Sequence, residues 1–274
     1  MLSGLRETVE KYGLMAKKSL GQNFLLDMNI TDKIVRESLE KQKKSDFSDC
    51  NAVEIGPGPG GLTRAVLQHC PKSLTVIEAD ERCIEIMREL KAEYSFPFEI
   101  IHGDAMEQNV AKIVPDPRCI ISNLPYNISV PLLTGWLQNA KEYQSLTLMF
   151  QKEVAQRIMA ETGSKEYGRL SVLAQLTTQV IKLFDINPNC FVPAPKIWST
   201  VLLFLPKEEQ PSPEELSKVE NITKLAFGQR RKMIRQSLKS IPNITGILEK
   251  FKISPELRAE DVSPQQYLQL ANNI

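Results

Sequence analysis

The chain has 274 residues, and its 34 basic and 33 acidic residues leave a formal charge of +1, so nucleic-acid binding by a global basic field is excluded. With 2 histidines and 5 widely spaced cysteines, a disulfide framework, a zinc site and a histidine-based catalytic triad are all disfavoured. The N-terminus has acids where a signal peptide has an apolar core, and no apolar run is long enough for a membrane span. These features predict a cytoplasmic protein.

In the first half of the chain, short apolar runs alternate with helical patterns. A helical pattern from Ile30 to Leu39 has Thr31 and Asp32 available as N-terminal caps. Helical stretches at 61–69, at 83–90 and at 131–139 then separate the strand-like runs AVEI, LTVIEAD, FEIIHGD, CIISN and SLTLMFQ. This alternation predicts an α/β fold, a parallel sheet with helices on both faces.

The second half changes character. The segments EVAQRIMAETG and RLSVLAQLTTQV have helical patterns, and WSTVLLFL has the pattern of a strand that completes the sheet. The acidic, proline-containing segment that follows marks a boundary near 206–213. We therefore predict one domain at 1–206 and a small helical domain at 207–274.

A glycine-rich turn follows the first predicted strand of the sheet. In VEIGPGPGGLT, the glycines Gly56, Gly58 and Gly60 stand between a strand and a helix, and Glu54 precedes them by two residues. Glycines there allow a tight turn and a close approach of a ligand to the backbone at a helix N-terminus. A purely structural turn is the alternative interpretation.

Acidic residues end the next two predicted strands. Glu78 could accept both hydroxyls of a ribose, and Asp104 could accept a hydrogen bond from an adenine amino group. Each has a structural alternative as a helix cap, a role that Asp80 could also fill. Because ligands of open α/β sheets bind at the carboxyl ends of strands, we expect Gly56, Glu78 and Asp104 to converge.

The fourth strand of the series ends in Asn123-Leu124-Pro125-Tyr126. The Asn123 amide oxygen and the Leu124 carbonyl, held outward by Pro125, supply two acceptors for an exocyclic amino group, and Tyr126 supplies a flat face for a base. Such a geometry suits methylation of an aromatic amine, because it holds the nitrogen in line and stabilises its developing positive charge. An ordinary turn after a strand is the alternative.

These motifs together resemble those of the ribosomal RNA adenine dimethyltransferases, and most of all the bacterial small-subunit group. The resemblance covers Lys17 to Leu238 and rests on the order and spacing of GQNFL, VEIGPGPGGLT, NLPYNIS, FQKEVAQRI, YGRLSV and FVPAPKIWS. It implies a Rossmann-like class I methyltransferase sheet, mostly parallel with an antiparallel final strand, and a small C-terminal helical domain. Trp198 departs from the pattern, since many relatives have a small or acidic residue there.

The resemblance also implies a cofactor and the residues of its site. S-adenosylmethionine would be the methyl donor, and the residues implied to bind it are Gln22, Asn23, Leu25, Gly56, Gly58, Glu78, Asp104 and Asn123. Leu124, Pro125 and Tyr126 would surround the target base. Phe191 of FVPAPK would complete an aromatic clamp, although without the resemblance this segment is typical of an extended proline-rich linker.

The implied reaction is transfer of methyl groups to the N6 amino groups of two adjacent adenosines near the 3′ end of small-subunit (16S) rRNA. The implied partner is the pre-30S particle, and we expect a monomer without a metal. The target adenosine must be unpaired or flipped, because an amino group inside a duplex cannot reach a pocket at strand ends.

A cluster of basic residues near the C-terminus is a candidate RNA contact. AFGQRRKMIRQSLKS contains Arg230, Arg231, Lys232 and Arg235, and a helix would place Ala226, Phe227, Met233, Ile234 and Leu238 on an apolar side with the basic residues outward. A solvated helix face is the alternative. Contact with about five phosphates predicts a slope near −3 to −4 for log affinity against log salt. Lys11, Lys17 and Lys18 form a weaker basic cluster.

Two other functions stay open on the sequence alone. The large-subunit rRNA adenine methyltransferases that confer macrolide resistance share the catalytic motifs, although the leucine of NLPY and the FGQRRK segment favour the small-subunit group. A ribosome assembly or RNA-binding factor without essential catalysis is the other alternative, and the intact Asn123, Tyr126 and glycine turn argue against it.

Overall fold

The computed structural model describes residues 4–14 and 22–274; Lys17 and Lys18 of the weaker basic cluster lie outside them. The strands of the described residues are β1 (Phe24–Leu25), β2 (Asn51–Ile55), β3 (Ser73–Glu78), β4 (Phe98–His102), β5 (Arg118–Ser122), β6 (Ser145–Gln151), β7 (Thr178–Ile186), β8 (Phe191–Val192) and β9 (Ser199–Pro206). The α-helices are α1 (Leu5–Lys11), α2 (Met28–Gln42), α3 (Gly61–Gln68), α4 (Glu81–Ala92), α5 (Val110–Ile113), α6 (Tyr126–Gln138), α7 (Lys152–Met159), α8 (Arg169–Thr177), α9 (Pro213–Gly228), α10 (Ile234–Ser237), α11 (Ile244–Lys250) and α12 (Pro264–Ala271).

Within the described residues, seven strands form one sheet in the order β4-β3-β2-β5-β6-β9-β7. The neighbours from β4 to β6 pair in parallel, and β9 pairs antiparallel with β6. All five residues of β2 and of β5 are buried, which requires cover on both faces of the sheet. The predicted fold class, a mostly parallel α/β sheet with an antiparallel final strand, is confirmed.

Three element predictions need correction. Helix α2 is capped by Asp27, whose carboxylate accepts a hydrogen bond from Asn29 N at 2.9 Å, and not by Thr31 or Asp32. Helix α6 begins at Tyr126, five residues before the predicted start, and encloses Pro131; Pro125, with its fixed φ, stands directly before the first helical residue. Residues 178–180, which the helical pattern of RLSVLAQLTTQV included, begin edge strand β7 instead, because their place at the sheet edge beside β9 favours a strand.

The chain divides into two compact units. Unit 1 comprises Met1–Leu132, Glu142–Lys152 and Ile181–Leu205, and unit 2 comprises Leu133–Lys141, Glu153–Val180 and Pro206–Ile274. The predicted domain boundary and the observed division into units both fall near residue 206. Unit 2, however, also includes the two earlier segments Leu133–Lys141 and Glu153–Val180. The division into domains at 1–206 and 207–274 stays a prediction.

Unit 2 has an aromatic core of its own. The Phe227 ring lies 6.0 Å from that of Tyr167 and 5.9 Å from that of Tyr267, measured between centroids. The buried hydroxyls donate to backbone carbonyls, Tyr167 to Val262 at 3.0 Å and Tyr267 to Ala259 at 2.7 Å. Burial raises the pKa of Tyr167 to about 12, so both phenols are neutral donors at physiological pH.

The cysteines include one pair that the sequence did not indicate. Cys50, directly before β2, and Cys119, in the adjacent strand β5, lie side by side with their Cα atoms 6.3 Å apart, across a separation of 69 residues. The sequence analysis, which argued against a disulfide framework, did not indicate this contact, since only the pairing of β2 with β5 brings the two residues together. None of the helices in the described residues has the length and apolar character needed to cross a membrane.

Candidate functional site

A cavity of about 330 Å³ opens at the carboxyl ends of β2, β3, β4 and β5 in unit 1. Its lining includes Gly56, Glu78, Asp104 and Asn123, each of which follows or ends a different strand. The strand order brings together residues that are far apart in sequence, at the position where open α/β sheets bind ligands. The expected convergence of these strand ends is present in the structure.

The glycine turn lines one side of the cavity and packs against the N-terminal GQNFL segment. Gly56 and Gly58 have φ values of +65° and +55°, in the left-handed region that favours glycine. A Cβ on Gly58 would lie 3.1 Å from the Phe24 ring, and a Cβ on Gly61 would lie 2.7 Å from the Leu25 carbonyl oxygen. The glycines are therefore required for the turn and for its close packing.

Glu78 is buried at the end of β3 and accepts three backbone hydrogen bonds. Its Oε1 accepts from Ala79 N at 2.9 Å and Asp80 N at 2.8 Å, and its Oε2 accepts from Gly58 N at 3.1 Å. Burial raises the pKa of Glu78, while these N–H groups oppose the shift. Asp80 caps α4, with its carboxylate accepting from Arg82 N, so Glu78 is not needed as a cap.

Two other residues predicted to bind the cofactor, Gln22 and Asn23, form hydrogen bonds with Asp80 and Asn123. Gln22 Nε2 donates to Asp80 Oδ2 at 3.1 Å, and the Asp80–Arg82 ion pair at 2.6 Å holds the pKa of the Asp80 carboxyl well below its usual range. Asn23 accepts a hydrogen bond at its carbonyl from Asn123 Nδ2 at 3.3 Å. Gln22, Asn23 and Leu25 all line the cavity.

Asp104 lies in the cavity wall and is also a cap. Its Oδ1 accepts from Met106 N at 2.8 Å, at the start of the 3-10 helix Ala105–Glu107. Its Oδ2 makes no hydrogen bond within the described part of the chain, so the carboxylate retains an acceptor for a ligand. The two interpretations of this residue, cap and ligand, are therefore compatible.

The Asn123–Tyr126 segment forms the opposite wall. Because Asn123 donates through Nδ2 to Asn23, its Oδ1 remains as the acceptor of the amide. Leu124 is buried, and Pro125 and Tyr126 line the cavity. The Tyr126 hydroxyl lies 2.7 Å from Ser199 Oγ at the start of β9, which fixes the ring. Sequence analysis missed Ser199, because nothing in the spacing links residues 126 and 199.

The structure does not bring Phe191 to the cavity lining. Phe191 is 2% exposed, lies opposite Leu25 in the β1–β8 pair, and belongs to the buried hydrophobic cluster of unit 1. It is absent from the residues that surround the cavity. Its place in an aromatic clamp stays a prediction. In the structure, Phe191 and Val192 pair as strand β8 with Leu25 and Phe24 of β1.

A buried acid that the sequence analysis noted without assigning it a role also lines the cavity. Glu54 on β2 is 1% exposed, and its Oε2 has no hydrogen-bond partner among the described residues. Burial, with a smaller contribution from nearby Glu78, raises the pKa of Glu54 to about 8, although a hydrogen bond from Thr63 opposes the shift. The cavity thus contains an acidic group suited to a positively charged ligand.

The basic segment of unit 2 is not the single helix that was predicted. Helix α9 ends at Gly228, a turn follows, and α10 begins only at Ile234. Met233, predicted for the apolar side, is 41% exposed because it lies in this turn. The turn arises where glycine and a run of long polar residues interrupt the apolar pattern.

The basic side chains of this segment differ in their contacts. Arg230, predicted to face outward, is half-buried: it forms an ion pair with Glu260 at 2.5 Å and donates to the Ser164 carbonyl at 3.3 Å. Arg231, Lys232 and Arg235 are exposed. In the weaker cluster, Lys11 pairs with Glu89 at 2.6 Å.

The mostly parallel sheet and its strand-end cavity define a Rossmann-like class I methyltransferase fold. The sequence profile of the family described as ribosomal RNA adenine dimethylase matches residues 13–274. The chain therefore belongs to the ribosomal RNA adenine dimethylase family.

Individual relatives agree with this assignment. A protein of Agrobacterium fabrum named "Ribosomal RNA small subunit methyltransferase A" is 46% identical over an alignment of 276 positions, which covers 99% of this chain and 97% of that protein. A dimethyladenosine transferase from Plasmodium falciparum has a similar structure, with a TM-score of 0.74 and 25% identity over 89% of this chain and 94% of that one. The 23S rRNA methyltransferase ErmE shares the fold, with a TM-score of 0.69 and 22% identity over 91% and 98% of the two chains.

Proposed function

We propose that this protein transfers methyl groups from S-adenosylmethionine to the N6 amino groups of two adjacent adenosines near the 3′ end of small-subunit rRNA during ribosome biogenesis. The observation that best supports this proposal is that the Asn123–Tyr126 segment lines the same cavity as Glu78 and Asp104. Membership of the ribosomal RNA adenine dimethylase family and the name of the Agrobacterium fabrum relative support the choice of reaction and subunit.

The residues of the cavity fit the proposed cofactor. S-adenosylmethionine supplies a methyl group activated by a sulfonium centre, and it carries positive charge. Glu54, whose Oε2 lacks a partner in the described chain, provides a buried acceptor for a cation. Glu78 would hold the ribose and Asp104 the adenine amino group, while Gly56 and Gly58 would let the methionine part approach the backbone.

The target amine would bind at the opposite wall. Asn123 Oδ1 and the Leu124 carbonyl would accept hydrogen bonds from the amino group, which draws electron density onto its nitrogen and stabilises the charge that develops there. Tyr126, whose hydroxyl bonds to Ser199 at 2.7 Å, would stack on the adenine. Each transfer would form a carbon–nitrogen bond while the bond from the methyl carbon to the donor sulfur breaks, leaving a neutral thioether. One amino proton would pass to water each time, so the amine accepts two methyl groups in all. No strongly basic side chain is required.

The substrate must present the adenosine outside a duplex. After the first transfer one amino proton remains, so one of the two acceptors stays engaged while the pocket accommodates the added methyl group. The pre-30S particle as the substrate form, a monomeric state, the absence of a metal and a cytoplasmic location stay predictions, as do RNA contacts by Arg230, Arg231, Lys232 and Arg235.

The decisive experiment is transfer of labelled methyl groups to undermethylated small subunits, with mapping of the modified bases and large subunits as the control. We expect label on two adjacent adenosines near the 3′ end of the small-subunit RNA. Label on large-subunit RNA alone would support the macrolide-resistance type instead. Binding to small subunits without any transfer would support an assembly factor.

A further inference from the structure

An exposed aromatic ring lies close in sequence to the residue that fixes Tyr126. Trp198 is 45% exposed, and it directly precedes Ser199, whose hydroxyl bonds to the Tyr126 hydroxyl at 2.7 Å. The preceding side chain, Ile197, is also exposed, as is Val192 earlier in the same segment. The exposed part of the indole offers a flat apolar face to a partner.

A basic side chain lies beside Trp198. Lys152 N donates to the Trp198 carbonyl at 2.9 Å, and Lys152 Nζ lies 5.8 Å from the centre of the indole ring. Lys152 and Lys182 both pair with Asp185, at 3.3 Å and 2.9 Å, so two cations share one carboxylate. Lys196 adds an exposed cation two residues before the ring. The chemistry that matches a flat face with adjacent cations is a nucleobase with its phosphates.

We propose that Trp198 stacks on a base that flanks the target adenosine in single-stranded RNA, with Lys152 and Lys196 near the adjoining phosphates. The proposal rests on the proposed function. Tyr126 would engage the target base itself, and Trp198 would hold the neighbouring nucleotide so that the strand enters the cavity in one direction. Trp198 is thus a positioning residue that acts on RNA affinity and not on the methyl transfer step.

Steady-state kinetics with undermethylated small subunits can test this role. For Trp198→Ala we expect the KM for the subunits to rise by about tenfold while kcat and cofactor affinity stay near wild type. Trp198→Phe retains a ring and should recover most of the affinity. Val192→Ala is the matched control, because it shortens an exposed apolar side chain of the same segment without removing a ring.

A direct binding measurement distinguishes failure of the Trp198 stacking role from failure of the proposed methyltransferase function. The chain has two tryptophans, and Trp136 is buried, so quenching of tryptophan emission by a short single-stranded RNA with two adjacent adenosines should come mainly from Trp198 and vanish in Trp198→Phe. Wild-type transfer with no change of KM in Trp198→Ala would overturn the stacking role alone. An equal rise of KM in Val192→Ala, loss of cofactor binding in Trp198→Ala, or a wild-type dimer that Trp198→Ala makes monomeric would also overturn it. Absence of transfer by wild type would instead contradict the proposed function.

Discussion

The strand-end cavity of unit 1 and the basic segment of unit 2 differ in how far their ionisable side chains are exposed to solvent. In the cavity, Glu54 and Glu78 are buried, and each of their hydrogen bonds is made in a region of low dielectric. In the basic segment, Arg231 and Lys232 are exposed to solvent and salt. A single change in the cavity should therefore have a large effect, whereas changes in the basic segment should add in small, salt-dependent steps.

The strongest test of the cavity is Asn123→Ala. Loss of the amide removes one acceptor for the target amine and the hydrogen bond to the Asn23 carbonyl at 3.3 Å. We expect methyl transfer to fall by about 10²- to 10³-fold or below detection, the size associated with loss of one group that stabilises transition-state charge. Binding of small subunits, measured by filter retention, should stay near wild type. Full transfer by this variant would refute the role of Asn123.

A smaller effect, seen in the dependence on pH, is expected for Glu54→Gln. Because the pKa of Glu54 in the folded protein is about 8, above its ordinary value of 4.5, its contribution to stability is present below pH 4.5 and is lost as pH rises through about 8. Wild-type Tm should therefore fall more steeply from pH 6 to pH 8.5 than the Tm of Glu54→Gln.

The same variant tests the charge of the cavity. A positively charged cofactor favours the carboxylate form of Glu54, so wild-type affinity for S-adenosylmethionine should rise with pH over this range, by about tenfold. Glu54→Gln should show little change, as measured by calorimetry. Parallel pH profiles for the two proteins would contradict the pairing of Glu54 with the cofactor.

The smallest effects are expected in the basic segment. Arg231→Ala and Lys232→Ala should each weaken RNA binding a few-fold and reduce the salt slope by about 0.7, if each side chain contacts one phosphate. Arg230→Ala is the matched comparison, since Arg230 is already paired with Glu260. It should lower Tm by about 2 °C and change the salt slope less. Three equal slopes would show that the exposed arginine and lysine do not bind phosphate individually.

The sequence predicted the parts of the molecule that depend on local patterns. The strand-helix alternation predicted the sheet, and the known position of ligands in such sheets predicted that Gly56, Glu78, Asp104 and Asn123 converge. The ion pair of Arg230 with Glu260 could not be predicted from the sequence, because the packing of unit 2 brings together residues thirty positions apart.

Other features of the site depend on tertiary context. The identity of β7 as a strand is decided by its place at the sheet edge beside β9, not by its own residues, whose pattern is also compatible with a helix. The unpaired oxygen of Glu54 is visible only once its neighbours are known. The available sequence signal was that Glu54 stands two residues before the glycine turn. This position does not show that the carboxyl group is buried.

The hydrogen bond between Tyr126 and Ser199 has a consequence for the order in which the enzyme is built. Strand β9 lies between β6 and β7, although β7 precedes it in the chain. Ser199 follows Tyr126 by 73 residues, so a nascent chain that ends before β9 lacks the hydrogen bond that fixes the Tyr126 ring.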